Sequence, residues 1–279
     1  MPIEHKLDSG DKFDRNLKQF NYQIITTDQQ FNKFLTKLKR QKEFTLDTET
    51  TGLDNFQAEL LGLSFSWQEG EAYYLVLSSG QTVNDSTNLF NYNQPVLQSG
   101  ETKSDLHPWL AKLEPILADQ QIKKFGHNLK FDIKVLSGLG LTVNGLEFDT
   151  MIASYLLNPG QRQHNLDSLV FSELGWEKIS KDDLLGQGRQ KINFGQVAPD
   201  KLGVYSCEDA DFTQRLVNKL SLQLKQEKLD QLFSQMEMPL VKVLAKLESH
   251  GISIDAKYFK DLDKKVGQQI VGLQKKIWQ

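Results

Sequence analysis

The chain has 279 residues, 39% hydrophobic and 25% charged, with a formal net charge of -3, which suits a globular chain with one good core or one domain plus an appendage. No apolar run approaches the ~20 residues that span a bilayer, and no charged, apolar, small-residue pattern marks a secretory leader, so no membrane partner is expected. Cys207 is the single cysteine, which excludes an intramolecular disulfide and fits a reducing intracellular setting, while the slight acidity neither supports nor excludes a nucleic-acid substrate.

Residues 1–21 are polar, without clear period, and read as an arm or linker. Tyr22–Thr26 is β-rich, and Thr27 or Asp28 caps a helix carrying Phe31, Phe34, Leu35 and Leu38 on one face. Glu43–Thr48, Leu60–Trp67 and Ala72–Leu77 follow as strands, residues 78–104 as a loop, and Leu106–Leu117 as a helix. Ile122–Gly126 is a further short strand, and Asn128 stands where it can cap the next helix. Strands alternating with helices from about 22 to 140 imply a mixed α/β sheet with helices packed against it. From Asp149 the pattern is nearly all helical, interrupted by a Gly- and Lys-rich loop at 176–195, and Pro199 suits the first position of a new helix. Near the end, Leu229, Leu232, Phe233, Met236, Leu240, Leu244 and Leu247 form one apolar stripe, closed by His250-Gly251 as a C-terminal cap. Phe259, Leu262, Val266, Ile270, Leu273 and Ile277 form a second. A stripe of this kind needs cover, and a longer natural chain is expected to supply it.

Three places carry chemistry. In Phe44–Leu53 (FTLDTETTGL), strand alternation points Asp47 and Glu49 to the same face. Paired carboxylates repel unless cations lie between them, and hard divalent cations prefer such oxygen ligands. With 36 acids in the chain, this motif alone is ordinary. In Gly126–Asp132 (GHNLKFD), Asp132 falls in the first turn of a helix, where the dipole favours a carboxylate. In Tyr205–Asp209 (YSCED), Tyr205 and Asp209 are four apart and share a helical face.

Taken in order, these motifs resemble the three exonuclease motifs of the DEDD superfamily, in the Tyr subfamily that includes the polymerase I proofreading domains and ribonuclease D. Leu53 and Ile192–Gln196 (INFGQ) narrow the resemblance to polymerase I. Glu237–Leu240 (EMPL) and Leu247–Asp255 (LESHGISID) look like the entry to a polymerase domain. The resemblance implies a ribonuclease H-like mixed sheet flanked by helices with a helical C-terminal extension. It implies an arm at 1–21, an exonuclease domain at 22–225, and the start of a polymerase domain at 226–279. The activity it implies is removal of nucleotides from single-stranded or frayed DNA 3′ ends with two divalent cations, Mg²⁺ or Mn²⁺. On this reading Asp47 bridges both cations, Glu49 and Asp209 complete one shell, Asp132 supports the other through water, and Tyr205 orients the attacking water. Substrate contacts would fall to Thr50, Leu53, His127, Asn128, Lys130 and Phe194. For Leu53 and Phe194 ordinary core packing is an equal alternative to stacking on bases.

The chain departs from the family at two points. His127 stands where Gln is common, and Arg162 lies one residue earlier than the expected partner of His164. The remaining readings are an RNA exonuclease like ribonuclease D and an inactive scaffold of a polymerase. Retention of all four carboxylates and the Tyr weighs against the scaffold.

Overall fold

The structure, a computed structural model, describes residues 12–52, 54, 58–77, 106–188 and 191–278. Leu53 and the loop expected at 78–104 lie outside the described residues.

Six strands form one mixed sheet: β1 (Asn21–Ile25), β2 (Glu43–Thr50), β3 (Leu60–Gln68), β4 (Glu71–Val76), β5 (Lys123–Gly126) and β6 (Leu146–Asp149), in the order β1-β4-β3-β2-β5-β6. The meander β2–β3–β4 is antiparallel, whereas β1 joins β4, β5 joins β2, and β6 joins β5 in parallel. This is the ribonuclease H-like arrangement that the sequence implied.

Strand β2 is central, and its alternation decides both faces of the sheet. Phe44 and Leu46 turn to an aromatic-rich core with Phe31, Phe34 and Leu38 of α2 (Asp28–Leu38) and Trp109 and Leu113 of α3 (Pro108–Ala118). Within it Phe31 stacks on Trp109 at 4.8 Å and 2°. The odd residues turn the other way, toward α8 (Pro199–Gln226), where the Thr45 hydroxyl donates to Gln214 at 2.9 Å and that of Ser206 to Glu49 at 2.8 Å. The start of α8 at Pro199 is where the sequence placed it. A helix crossing a sheet this closely needs small side chains at the contact. A Cβ on Gly203 would lie 2.7 Å from Ile24 and 3.1 Å from Tyr74.

Two elements differ from the sequence reading. Lys12–Gln19, within the expected arm, forms helix α1 and packs on α8 through polar contacts, with Asn16 fully buried and its amide donating to Glu208 at 2.7 Å. Strand β6 was hidden because four residues are too few to show a period.

At Asn128 the capping expectation needs correction. The residue occupies the N-cap position of α4 (Leu129–Gly138), but its side chain makes no capping bond and its backbone is left-handed at φ 63°, a conformation Asn tolerates. Asp149 caps instead. Its carboxylate, 1% exposed, accepts from Asn128 N (3.1 Å) and Leu129 N (2.8 Å) at the start of α4. It also accepts from Met151 N (2.9 Å) and Ile152 N (3.3 Å) at the start of α5 (Thr150–Leu157). One side chain thus satisfies the orphan donors of two helices.

After α5 come the single turn α6 (Leu166–Leu169), a π-helical turn (Val170–Leu174), α7 (Lys181–Leu185) and a 3₁₀ turn (Phe194–Gln196) ahead of α8. Beyond α8, the turn α9 (Asp230–Leu232) and a second π-helical turn lead into α10 (Met238–His250). One compact unit runs to Ala245 and a second begins at Lys246. Gly251 at φ +64° ends α10 as the cap signal implied. The second apolar stripe is α11 (Ala256–Ile277), none of whose residues is buried. No helix among the described residues is long and apolar enough to cross a membrane.

Candidate metal centre and active-site cleft

The odd face of β2 carries Asp47 and Glu49 against the helix that presents Asp209. Carboxylate oxygens of these three residues lie within 4.8 Å of one another. The chain brings together groups 160 or more positions apart in sequence, because α8 crosses behind β2 with Tyr205, Ser206 and Asp209 on the facing side. An all-oxygen donor set of this kind fits a hard divalent cation.

Asp132 is held separately. It sits in the first turn of α4, 2% exposed, and its Oδ1 accepts from Thr48 N at 3.0 Å and the Thr48 hydroxyl at 2.6 Å. The intervening residue of the Asp-x-Glu motif therefore ties the second motif to the strand. Asp132 lies outside the three-carboxylate group but close enough for its charge to act on Asp47.

Burial and mutual repulsion shape the protonation of this cluster. Burial and then the neighbouring Glu49, Asp132 and Asp209 push Asp47 well above the usual carboxylate range. Burial, with Asp209 beside it, raises Glu49 to about 8 against a bond from Ser206 that favours the anion. Burial brings Asp132 to about 7, with the Thr48 bonds opposing, and Asp209 to about 6, with Lys178 opposing. In the absence of cations the cluster therefore holds protons, and divalent charge is what would make all of its members anionic.

Tyr205 is 3% exposed. Burial, then the charges of Asp209 and Glu49, push its phenol well above the ordinary value, so it stays neutral.

A cleft of 1290 Å³ opens over the carboxylates, with Asp47, Glu49, Tyr205 and Asp209 among its lining residues. Of the substrate-contact candidates, Thr50, His127, Asn128 and Phe194 line it as well, whereas Lys130 does not; nor does the deeply buried Asp132, the fourth carboxylate of the metal-ligand set. Phe194 meets Tyr205 edge-on at 6.2 Å, which places an apolar ring at the cleft wall directly beside the third motif. The His127 Nδ1 pairs with the Thr150 hydroxyl at 2.8 Å, and burial first, then Lys178, lowers its proton affinity to about 3. His127 is thus a neutral imidazole at physiological pH.

The sequence reading missed Lys178, which it left within the Gly- and Lys-rich loop at 176–195. Its side chain is 1% exposed, and its ammonium contacts Asp209 Oδ1. It lies 3.6 Å from both Glu208 Oε2 and Asp167 Oδ1, and 4.9 Å from the Tyr205 ring centroid. Burial opposes its charge, but Asp209 and Glu208 outweigh burial and keep it protonated. Nothing local in the sequence separates this lysine from those on the surface; only the pairing with Asp209, 31 residues away, does so.

A mixed sheet whose central strand and a crossing helix pool carboxylates at one cleft offers a donor set for divalent cations. A family model described as 3′-5′ exonuclease matches residues 22–225, and the chain belongs to that family. It is similar to DNA polymerase I of Pseudomonas aeruginosa, with 31% identity over 93% of this chain and 27% of that protein. To DNA polymerase I of Chloroflexus aurantiacus it shows 34% identity over 88% of this chain and 24% of that protein. The chain thus spans about a quarter of the length of these relatives. The fold is shared with the POL domain of Pol1 from M. smegmatis in complex with DNA primer-template and dNTP (TM-score 0.62, 22% identity, 90% of this chain and 36% of that one). It is also shared with Brucella melitensis NrnC bound to pGG (TM-score 0.57, 19% identity, 85% of this chain and 97% of that one).

Proposed function

We propose that the chain is the proofreading exonuclease domain of a bacterial, cytoplasmic DNA polymerase I, releasing nucleotides from single-stranded or frayed DNA 3′ ends. The observation that carries this reading is the convergence of Asp47, Glu49 and Asp209 within 4.8 Å at a cleft that also presents Tyr205. Residues 22–225 are the catalytic domain, and 226–279 lead toward a polymerase module. That relatives matching nearly all of this chain are about four times its length supports the module.

In this reading Asp47, Glu49 and Asp209, with Asp132 in support, hold two divalent cations, Mg²⁺ or Mn²⁺. Bound there, the cations supply a water of lowered pKa and counter-charge for the phosphate and the leaving 3′-oxygen. The protein's own groups do the rest. The neutral Tyr205 phenol orients the attacking water. Thr50, His127 and Asn128 offer hydrogen bonds to the terminal nucleotide, and Lys130 a positive charge to the backbone. Phe194 gives bases an apolar surface to stack on, which grips a single strand without reading its sequence. A frayed end is preferred because the terminal base must leave its duplex to reach that surface.

The test is release of mononucleotides from 3′-labelled and 5′-labelled single-stranded DNA with Mg²⁺ or Mn²⁺, beside an EDTA control and a matched RNA. Stepwise shortening of DNA from the 3′ end, abolished by EDTA, is expected. Digestion of RNA alone would reassign the substrate, and no shortening with either metal would overturn the catalytic reading.

A further inference from the structure

Behind the cleft wall, in contact with Asp209, lies an ionic feature that the exonuclease reading does not use, the buried ammonium of Lys178. Its position is imposed by the backbone rather than chosen by the side chain. On one side, Trp176 stacks on Phe212 at 5.5 Å and its indole N–H donates to Glu208 Oε1 at 3.4 Å. On the other, Ile179, fully buried, donates its N–H to Glu208 Oε2 at 2.7 Å, and Ser180 caps α7. Lys12 of α1 closes the bracket by donating to the Lys178 carbonyl at 3.1 Å. Glu208, the neighbour of Asp209 on α8, thus anchors the segment on both sides of Lys178.

Both Glu208 oxygens are engaged by these donors and by Asn16. The ammonium lies 3.6 Å from Glu208 Oε2 and from Asp167 Oδ1 and makes its closest contact with Asp209. The same carboxylate belongs to the three-residue group suited to a cation. An ammonium on Asp209 and a divalent ion on Asp209 act on one anion from a few ångströms apart, so each disfavours the other. Without metal, the cluster would otherwise place several carboxylates within 4.8 Å of one another with no positive charge beside them.

We propose that Lys178 is the resident counter-cation of this centre, a positioning residue that holds Asp209 in the cation-free protein and yields it when a divalent cation binds. The inference rests on the exonuclease reading only for the identity of the metal ligands. It makes the metal site weaker than its carboxylates alone would make it, and keeps it organised when empty of cations.

The experiment compares Mn²⁺ affinity by calorimetry for the unmutated chain, Lys178→Met and Lys178→Arg, with melting temperatures in EDTA. Removing one positive charge from beside a divalent ion is expected to tighten Mn²⁺ binding by about tenfold or more, while lowering the melting temperature in EDTA. Lys178→Arg, which keeps the charge, should bind Mn²⁺ close to the unmutated value. A purely structural lysine would lower the melting temperature without tightening the metal. Unchanged or weaker Mn²⁺ binding in Lys178→Met, alongside normal binding by the unmutated chain, overturns the counter-cation role and leaves the exonuclease reading intact. Failure of the unmutated chain to bind Mn²⁺ would instead sink the metal centre itself. Should Lys178→Met not fold, lysine-selective ¹³C labelling of the unmutated chain decides the matter. The Lys178 ε-carbon signal, assigned by its loss in Lys178→Arg, is expected to move on saturation with Mg²⁺, and a stationary signal overturns the proposal.

Discussion

Stripping cations and raising the pH should destabilise this protein over a defined window. Glu49, buried beside Asp209, keeps its proton in the fold up to about pH 8, whereas a free glutamate loses it near 4.5. Between those values the native state binds more protons than the unfolded chain. Stability therefore falls as pH rises, by ~1.4 kcal/mol per pH unit for each such proton. His127 acts oppositely at lower pH. Its proton affinity is lowered from 6.5 to about 3, so its contribution is lost as pH falls below 6.5 and is constant above it. The clean window is consequently pH 6.5 to 8. There Glu49 alone accounts for ~2 kcal/mol, and Asp132, raised to about 7, adds in the same direction at the lower end. For a unit of this size ~2 kcal/mol corresponds to a melting-temperature drop of ~4–8 °C. The measurement is a series of thermal melts across that window in EDTA and again in saturating Mg²⁺. Because deprotonated carboxylates are the ligands, metal should abolish or reverse the slope, and Glu49→Gln should reduce it in EDTA, leaving the share of Asp47 and Asp132. Melting temperatures in EDTA that stay flat or climb from pH 6.5 to 8 would refute the account of a protonated, cation-hungry cluster.

Asp47→Ala should remove nearly all exonuclease activity by deleting the ligand shared within the cluster, while Tyr205→Phe, which loses only an orienting hydroxyl, should leave a measurable residue; single-turnover assays with Mn²⁺ separate the two, and equal activity of Asp47→Ala and the parent would refute the ligand assignment. Asp149→Ala strands four helix N–H groups that now share one buried carboxylate. It should cost ~3 kcal/mol or more, read from denaturant unfolding, and a loss below ~1 kcal/mol would mean that water replaces the cap. Phe194→Ala should weaken capture of single-stranded DNA by about tenfold, the scale of losing one base-stacking surface, with little effect on melting temperature. A large melting-temperature loss with unaltered capture would return Phe194 to ordinary packing.

Much of the site was legible because it depends on local periods. The alternation that turns Asp47 and Glu49 to one face is the same alternation that sends Phe44 and Leu46 into the core. The spacing of four that unites Tyr205 and Asp209 survives intact on α8, whose start Pro199 marks. Both apolar stripes near the C-terminus became helices for the same reason. Each of these features repeats within a few residues, so the chain states it locally.

What local pattern could not carry is partnership at a distance. Asn128 invites reading as a cap, yet the donors near it belong to Asp149, which reaches them only because β6 lies beside β5. Helix α1 hides its packing in a polar contact between Asn16 and Glu208, 192 residues apart, which no hydrophobic count reveals. Lys178 looks like any solvated lysine until the fold closes around it and pairs it with Asp209. The sequence by itself determined most of the elements and the shared facing of Asp47 with Glu49 and of Tyr205 with Asp209, since side-chain direction follows from strand and helix periods. Tertiary structure alone decided which buried charges meet, because the cost of burying a charge is settled only by the partner that packing brings to it.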